Sequence, residues 1–209
     1  MADVTITAPN FQVATFQIEG SAPYVQHRFW KKADLIAAHT AGKKAAGKNK
    51  KEPRDFTKEF KEAQYLADEG WNGIPASCFR SAMISACRLV GFKMTHAKLS
   101  VFVDADGYDP DGTPLIKIEG TPEQNISAVR NATGVVDMRA RPMWKKWGAR
   151  VRVKFDADQF SLDDVSNLMM RVGEQVGIGE GRPDSKSSHG TGWGTFQLVA
   201  ERKTRGKAA

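Results

Sequence analysis

Residues Ala149 to Phe155 alternate without a break, with Val151, Val153 and Phe155 on one side of an extended chain and Arg150, Arg152 and Lys154 on the other. Successive side chains of a strand point to opposite faces, so the segment is a β-strand with one buried and one cationic face. Three neighbouring cations repel one another unless negative charge lies opposite. Phosphates of a nucleic acid and carboxylates of the chain itself both meet that need, and phosphate is taken as the better match.

The segment that follows is as well specified. Ser161 is a good N-cap, Asp163 and Asp164 suit the positive end of a helix dipole, and Leu162, Val165, Leu168, Met169, Val172 and Val176 form one apolar stripe belonging to the core. This helix runs into Gly177-Ile178-Gly179-Glu180-Gly181-Arg182-Pro183 and then into a strand-like stretch from Thr195 to Ala200. Glycines let main-chain N–H groups approach an anion, and Arg182 and Lys186 add positive charge beside them. The order of elements excludes the common nucleotide loops. A Walker loop needs a lysine and a hydroxyl residue after its last glycine, at the start of a helix, and a dinucleotide-binding turn also leads from strand to helix. Here the helix comes first and Gly181 is followed by Arg182-Pro183.

Upstream, Phe11 to Ile18 reads as a first strand closed by Gly20-Ser21-Ala22-Pro23. Residues 31–72 change character. Lys43, Lys44, Lys48, Lys50 and Lys51 stand among Gly and Ala with no apolar period, which predicts a mobile loop before a charged helix around Phe56 to Leu66. The lysines either fold onto a phosphate chain or form a solvated loop. A helix opens at Ile74-Pro75-Ala76-Ser77 and carries Phe79, Ala82, Met83, Ala86 and Val90 until Gly91 stops it. Ser77, Ser81, Ser85 and Arg88 make a small polar stripe on another face, with Arg80 nearby; a second subunit, a nucleic-acid backbone or a neighbouring sheet can approach it closely. Leu99, Val101 and Val103 predict a strand before the Asp104-Ala105-Asp106-Gly107 turn, and Leu115 to Glu119 a further short one. Arg139-Ala140-Arg141-Pro142-Met143-Trp144-Lys145-Lys146-Trp147 mixes cations with indoles, so Trp144 and Trp147 are either base-stacking rings or core residues.

The chain has 209 residues, a 41% hydrophobic share and a formal net charge of +7, enough to bury a real core and suited to a polyanionic partner. A membrane partner is not expected, because there is no long apolar run and the N-terminus lacks the pattern of a signal peptide. Cys78 and Cys87 fall on opposite sides of one predicted helix and cannot pair there, which points to a reduced, cytoplasmic setting. No metal or cofactor is expected. His27, His39, His96 and His189 are scattered, and Asp104, Asp106, Asp109 and Asp111 lack the terminal glutamate of a calcium loop.

Two segments, taken in order, resemble the RAMP superfamily, the RNA-binding and RNA-processing proteins of CRISPR effector complexes. Ile74-Pro75-Ala76-Ser77-Cys78-Phe79-Arg80-Ser81-Ala82 is similar to the family's Ile-Pro-Gly-Ser-Ser helix opening, and Val176 to Arg182 to its glycine-rich loop between a helix and a final strand. Ala76 stands where the family has glycine, the stretch from Arg182 to Gly192 is long, and the lysine-rich insertion has no counterpart, as in a stand-alone or phage-encoded member. The resemblance implies an α+β, ferredoxin-like (RRM-type) antiparallel sheet with two packed helices. The chain is read as a single domain over 1–209 of this type, with the lysine-rich insertion at about 31–72 and a short basic tail at 202–209. Arg80, Arg182 and Lys186 would then sit near bound RNA.

The expected function is non-catalytic, sequence-tolerant binding of single-stranded nucleic acid, RNA favoured over DNA, by copies assembling along the strand in the cytoplasm. Its expected contacts are Lys43, Lys44, Lys48, Lys50, Lys51, Arg80, Arg88, Arg150, Arg152, Lys154, Arg182 and Lys186, with stacking on Trp144 and Trp147. The alternatives are a phage protein that inhibits or mimics a host nucleic-acid complex through protein contacts, and an endoribonuclease using His27, Asp34 or His189.

Overall fold

The computed structural model describes residues 7–28, 54–130, 136–185 and 191–199. Strands are β1 (Phe11–Gly20), β2 (Tyr24–Val25), β3 (Gly73–Pro75), β4 (Val101–Asp104), β5 (Gly107–Tyr108), β6 (Pro114–Glu119), β7 (Glu123–Arg130), β8 (Val136–Trp144), β9 (Gly148–Asp156) and β10 (Phe196–Val199). Helices are α1 (Phe56–Glu62), α2 (Ala76–Ala86, extended by a tighter turn over Cys87–Val90), α3 (Met94–Ser100) and α4 (Leu162–Arg171, continued by a wider turn over Val172–Val176). The fold is α+β, on an antiparallel sheet.

The main sheet runs in the order β10, β1, β9, β6, β3, with β4 also on β9 and β5 on β6. β1 lies between its two partners, pairing Phe11 through Glu19 with Asp156 through Gly148, and Gln17 through Gly20 with Val199 through Phe196. The far edge of β9 is shared: Ala149 meets Ile118 of β6, and Arg152 through Phe155 meet Asp104 through Val101 of β4. The alternation read from Ala149 to Phe155 is therefore realised, with Val151, Val153 and Phe155 buried under the helices.

Phe79 and Met83 of α2 and Val165, Leu168 and Met169 of α4 complete that core against Ala14, Phe16 and Ile18. The predicted cap of α4 forms as a capping box: the Asp164 N–H donates to Ser161 Oγ at 3.1 Å and the Ser161 N–H to Asp164 Oδ2 at 2.9 Å. Leu162, expected in the stripe, is instead 56% exposed. α2 ends as predicted, its tight turn closing at Gly91.

One expectation is corrected. Leu99 belongs to α3 and is 74% exposed; the apparent alternation of Leu99, Val101 and Val103 straddles a helix–strand junction, and the strand starts only at Val101. The segment 123–144 is a hairpin, β7–β8, which with β2 makes a separate three-stranded sheet. α1, the charged helix expected near Phe56, rests on this hairpin. Asp55 caps it by accepting from the Thr57 and Lys58 N–H groups, and Gln124 donates to the Phe56 carbonyl at 2.8 Å. Among the described residues, no helix is long and apolar enough to cross a membrane.

Candidate nucleic-acid groove

The two segments that carried the family resemblance meet in space. Ser77, Ser81 and Ser85 of α2 form one wall of a groove of about 350 Å³, and Ile178 to Asp184 of the glycine loop form the opposite wall. Its floor is built by Tyr24, Gln26, His27 and Tyr65.

The floor is fixed by packing and by one buried amide. Tyr24 is fully buried, its ring centroid 5.6 Å from that of Trp144 and 5.5 Å from that of Trp147. Gln26, 2% exposed, donates to the Gly73 carbonyl at 2.7 Å and to the Tyr24 hydroxyl at 3.2 Å, while its Oε1 accepts from the Tyr65 N–H at 3.0 Å. A buried amide satisfied on both ends holds its three neighbours in one geometry. His27 is pushed down to about 4, first by burial and then by Arg139 and Arg141, so its imidazole is neutral at physiological pH. None of these floor residues except His27 stood out in the sequence; Tyr24 and Gln26 lie in a stretch too short and mixed to show a period.

Three N–H groups of the glycine loop bond within the protein: Ile178 donates to the Gly194 carbonyl, Glu180 to that of Val25 and Asp184 to that of Val176, at 3.0, 2.9 and 3.1 Å. The glycines allow close backbone packing. A Cβ on Gly179, whose φ is +74°, would lie 2.5 Å from the Tyr24 ring and 2.6 Å from the Val25 carbonyl oxygen. The loop is thus clamped onto the groove floor, and its charged side chains are what it presents. Arg182 donates to the Gly179 carbonyl at 2.9 Å and forms no ion pair among the described residues.

The remaining predicted contacts divide by what they touch. Arg88 holds Asp184 of the loop, with Nη2 at 2.7 Å from Oδ2. Arg150 is exposed on the outer face of the sheet and forms no ion pair among the described residues. Arg152 is paired intramolecularly, with Asp106 at 3.3 Å and the Ala105 carbonyl at 2.6 Å, so the turn supplies the carboxylate that was weighed against phosphate. Lys154 sits over the rings of Phe11 and Phe102, 5.1 and 5.5 Å from their centroids. Lys43, Lys44, Lys48, Lys50, Lys51 and Lys186 lie outside the described residues, as do Asp34 and His189.

Trp144 and Trp147 are corrected from candidate stacking rings to core residues, 0% and 4% exposed. Their spacing puts both beside the β8–β9 turn, where Tyr24 and Phe196 cover them. The acidic residues of 104–111 serve as turn and pairing groups: Asp109 accepts from the Asp111 and Thr113 N–H groups, and both Asp109 and Asp111 meet Arg28.

Arg80 is committed to the fold. Its Nε donates to the Val101 carbonyl at 3.0 Å, a second nitrogen reaches the Lys98 carbonyl, and its guanidinium lies 5.2 Å from the Phe102 ring centroid. It ties α2 to the α3–β4 junction. Arg80→Ala is expected to lower stability by about 1–3 kcal/mol in urea denaturation, since charged hydrogen bonds of this kind contribute that much. Arg80→Lys, unable to span two carbonyls, should recover only part of it.

Glu180 and Asp184 bring negative charge into the groove, which the sequence reading had not anticipated. Glu180 is balanced by Arg141 of β8 at 3.4 Å, and Arg141 itself is nearly buried and donates to Ser127 Oγ at 2.8 Å. No protein-family model matches the chain, and no curated protein matches its sequence.

Proposed function

We propose that this chain is a non-catalytic, sequence-tolerant single-stranded nucleic-acid-binding protein of RAMP type, RNA favoured over DNA, whose copies assemble along the strand. The observation that carries the reading is the groove in which the serine stripe of α2 faces Arg182 of the glycine loop. Those walls are the two segments that resemble the family, and they lie far apart in sequence. A strand order with β10, β1 and β9 adjacent and β4 on the far side of β9, with α2 following β1 and α4 preceding β10, supports a ferredoxin-like core. The net charge of +7 supports a polyanionic partner.

The test is affinity for labelled single-stranded RNA and DNA across a salt series. Each neutralised phosphate of a single strand contributes a log–log slope of about −0.7, so several contacts give a steep decline. Arg182→Ala should weaken binding to all sequences alike and make the slope shallower by about 0.7. Weak binding with little salt dependence would overturn the proposal. Size-exclusion chromatography with an absorbance ratio on protein purified from cells tests the assembly, which should carry co-purified nucleic acid.

A further inference from the structure

At one end of the groove, two donors converge on a single carboxylate. Arg88 Nη2 lies 2.8 and 2.7 Å from the two oxygens of Asp184, and 2.6 Å from Ser85 Oγ. The Ser85 hydroxyl also donates to Asp184 Oδ2. The guanidinium is steadied from behind, its Nε donating to the Ser85 carbonyl at 3.1 Å. A cation and a hydroxyl directed at the same oxyanion is the donor set that binds a phosphate oxygen, and here a side chain of the protein itself occupies it.

We propose that Ser85 and Arg88 form a phosphate seat held in reserve by Asp184, and that a backbone phosphodiester of the bound strand displaces the Asp184 carboxylate to complete the site. The inference rests on the nucleic-acid reading above and names one contact of it, together with the internal anion that opposes that contact.

Three further observations support it. The seat opens to solvent: the Arg88 side chain is 54% exposed and that of Asp184 35%, so an incoming phosphate reaches it without unfolding anything. Exposed ion pairs contribute little to stability, so the exchange of one anion for another has a small cost. The Asp184 N–H is anchored separately, to the Val176 carbonyl at 3.1 Å, so a rotation of the side chain releases the seat while the loop stays in place. The Ser85 hydrogen bond, and Arg88 after it, hold the Asp184 carboxyl below the usual carboxylate range, so at neutral pH it remains a competing anion. Arg182, on the opposite wall, then becomes the second cation along the same stretch of backbone.

The experiment measures binding of labelled oligouridine RNA by wild type, Asp184→Asn, the Arg88→Ala/Asp184→Asn double variant, and Asp163→Asn. The last makes the same charge change on the exposed first turn of α4. Asp184→Asn should bind roughly five- to tenfold tighter at low salt, with a slope steeper by about 0.7 as Arg88 takes up one more phosphate. The double variant should lose that gain, and Asp163→Asn should stay within about twofold of wild type, as expected for one exposed charge that takes no part in the seat. Asp184→Ser, shorter and also neutral, must reproduce the gain and covers the case in which the amide disturbs the loop. Steep salt-dependent binding by wild type with no gain in either Asp184 variant overturns this inference alone, as does a gain that survives loss of Arg88. Failure of wild type and all variants to bind overturns the nucleic-acid reading and this inference with it.

Discussion

Gly194→Ala should cost about 3–5 kcal/mol and detach the glycine loop from the sheet. The residue has φ +71°, a left-handed conformation that costs a side-chain-bearing residue roughly 1–2 kcal/mol. The larger effect is steric. An added Cβ would sit 1.8 Å from the Ile178 carbonyl oxygen, a backbone atom that has no rotamer to escape into. Overpacking of this kind adds about 1–3 kcal/mol. Gly194 also joins the two ends of the loop, donating to the Pro23 carbonyl at 2.7 Å and accepting from the Ile178 N–H at 3.0 Å, so relief of the clash breaks both bonds. Thermal or urea denaturation checks the size of the loss. Gly192→Ala is the comparison: φ there is +73°, but nothing lies within 4 Å of the added carbon, so only the conformational part should appear.

Trp144→Ala should cost about 3–5 kcal/mol, the range for emptying a fully buried aromatic site. The ring is 0% exposed and packs against Tyr24 of the groove floor, so the cavity would open beside the site. Trp144→Phe separates packing from chemistry. The Trp144 indole N–H finds no hydrogen-bond partner among the described residues, whereas Trp147 Nε1 donates to the Ala22 carbonyl at 2.8 Å. Phenylalanine keeps most of the volume at Trp144 and removes an unsatisfied donor, so the loss should be much smaller than with alanine. RNA affinity should persist in Trp144→Phe. A stacking ring would forfeit about 1–3 kcal/mol of binding on truncation, and a drop of that size in Trp144→Ala at a temperature where it stays folded would return Trp144 to the interface.

The elements legible in the sequence are those whose signal is local and repeated. β9 shows its alternation because one face is buried along its whole length, and α4 shows its start because Ser161 and Asp164 cap it. The β7–β8 hairpin escaped because it stands partly outside the core. Ile126, Val136 and Met138 are exposed, so neither face carries a clean apolar pattern. The tryptophans misled for a related reason: cations flank them in sequence, but the chain turns between β8 and β9 and leaves Lys145 and Lys146 outside while both indoles point inward. The groove was legible in its two walls and hidden in its charge balance. Arg88 and Asp184 are 96 residues apart, and nothing local in either segment announces that they neutralise each other. Arg152 and Asp106 are matched in the same way, by a register that exists only once β4 lies against β9.

β1 pairs on one side with β9 and on the other with β10, both from the last third of the chain. Loop closure over such separations is slow, and during synthesis the first strand leaves the ribosome long before either partner exists. Its unpaired edges and the apolar residues Ala14, Phe16 and Ile18 are then open to other chains until Gly148 and the residues beyond it emerge. The groove wall at Ile178 to Asp184 arrives later still, so the groove is incomplete until that segment has been made.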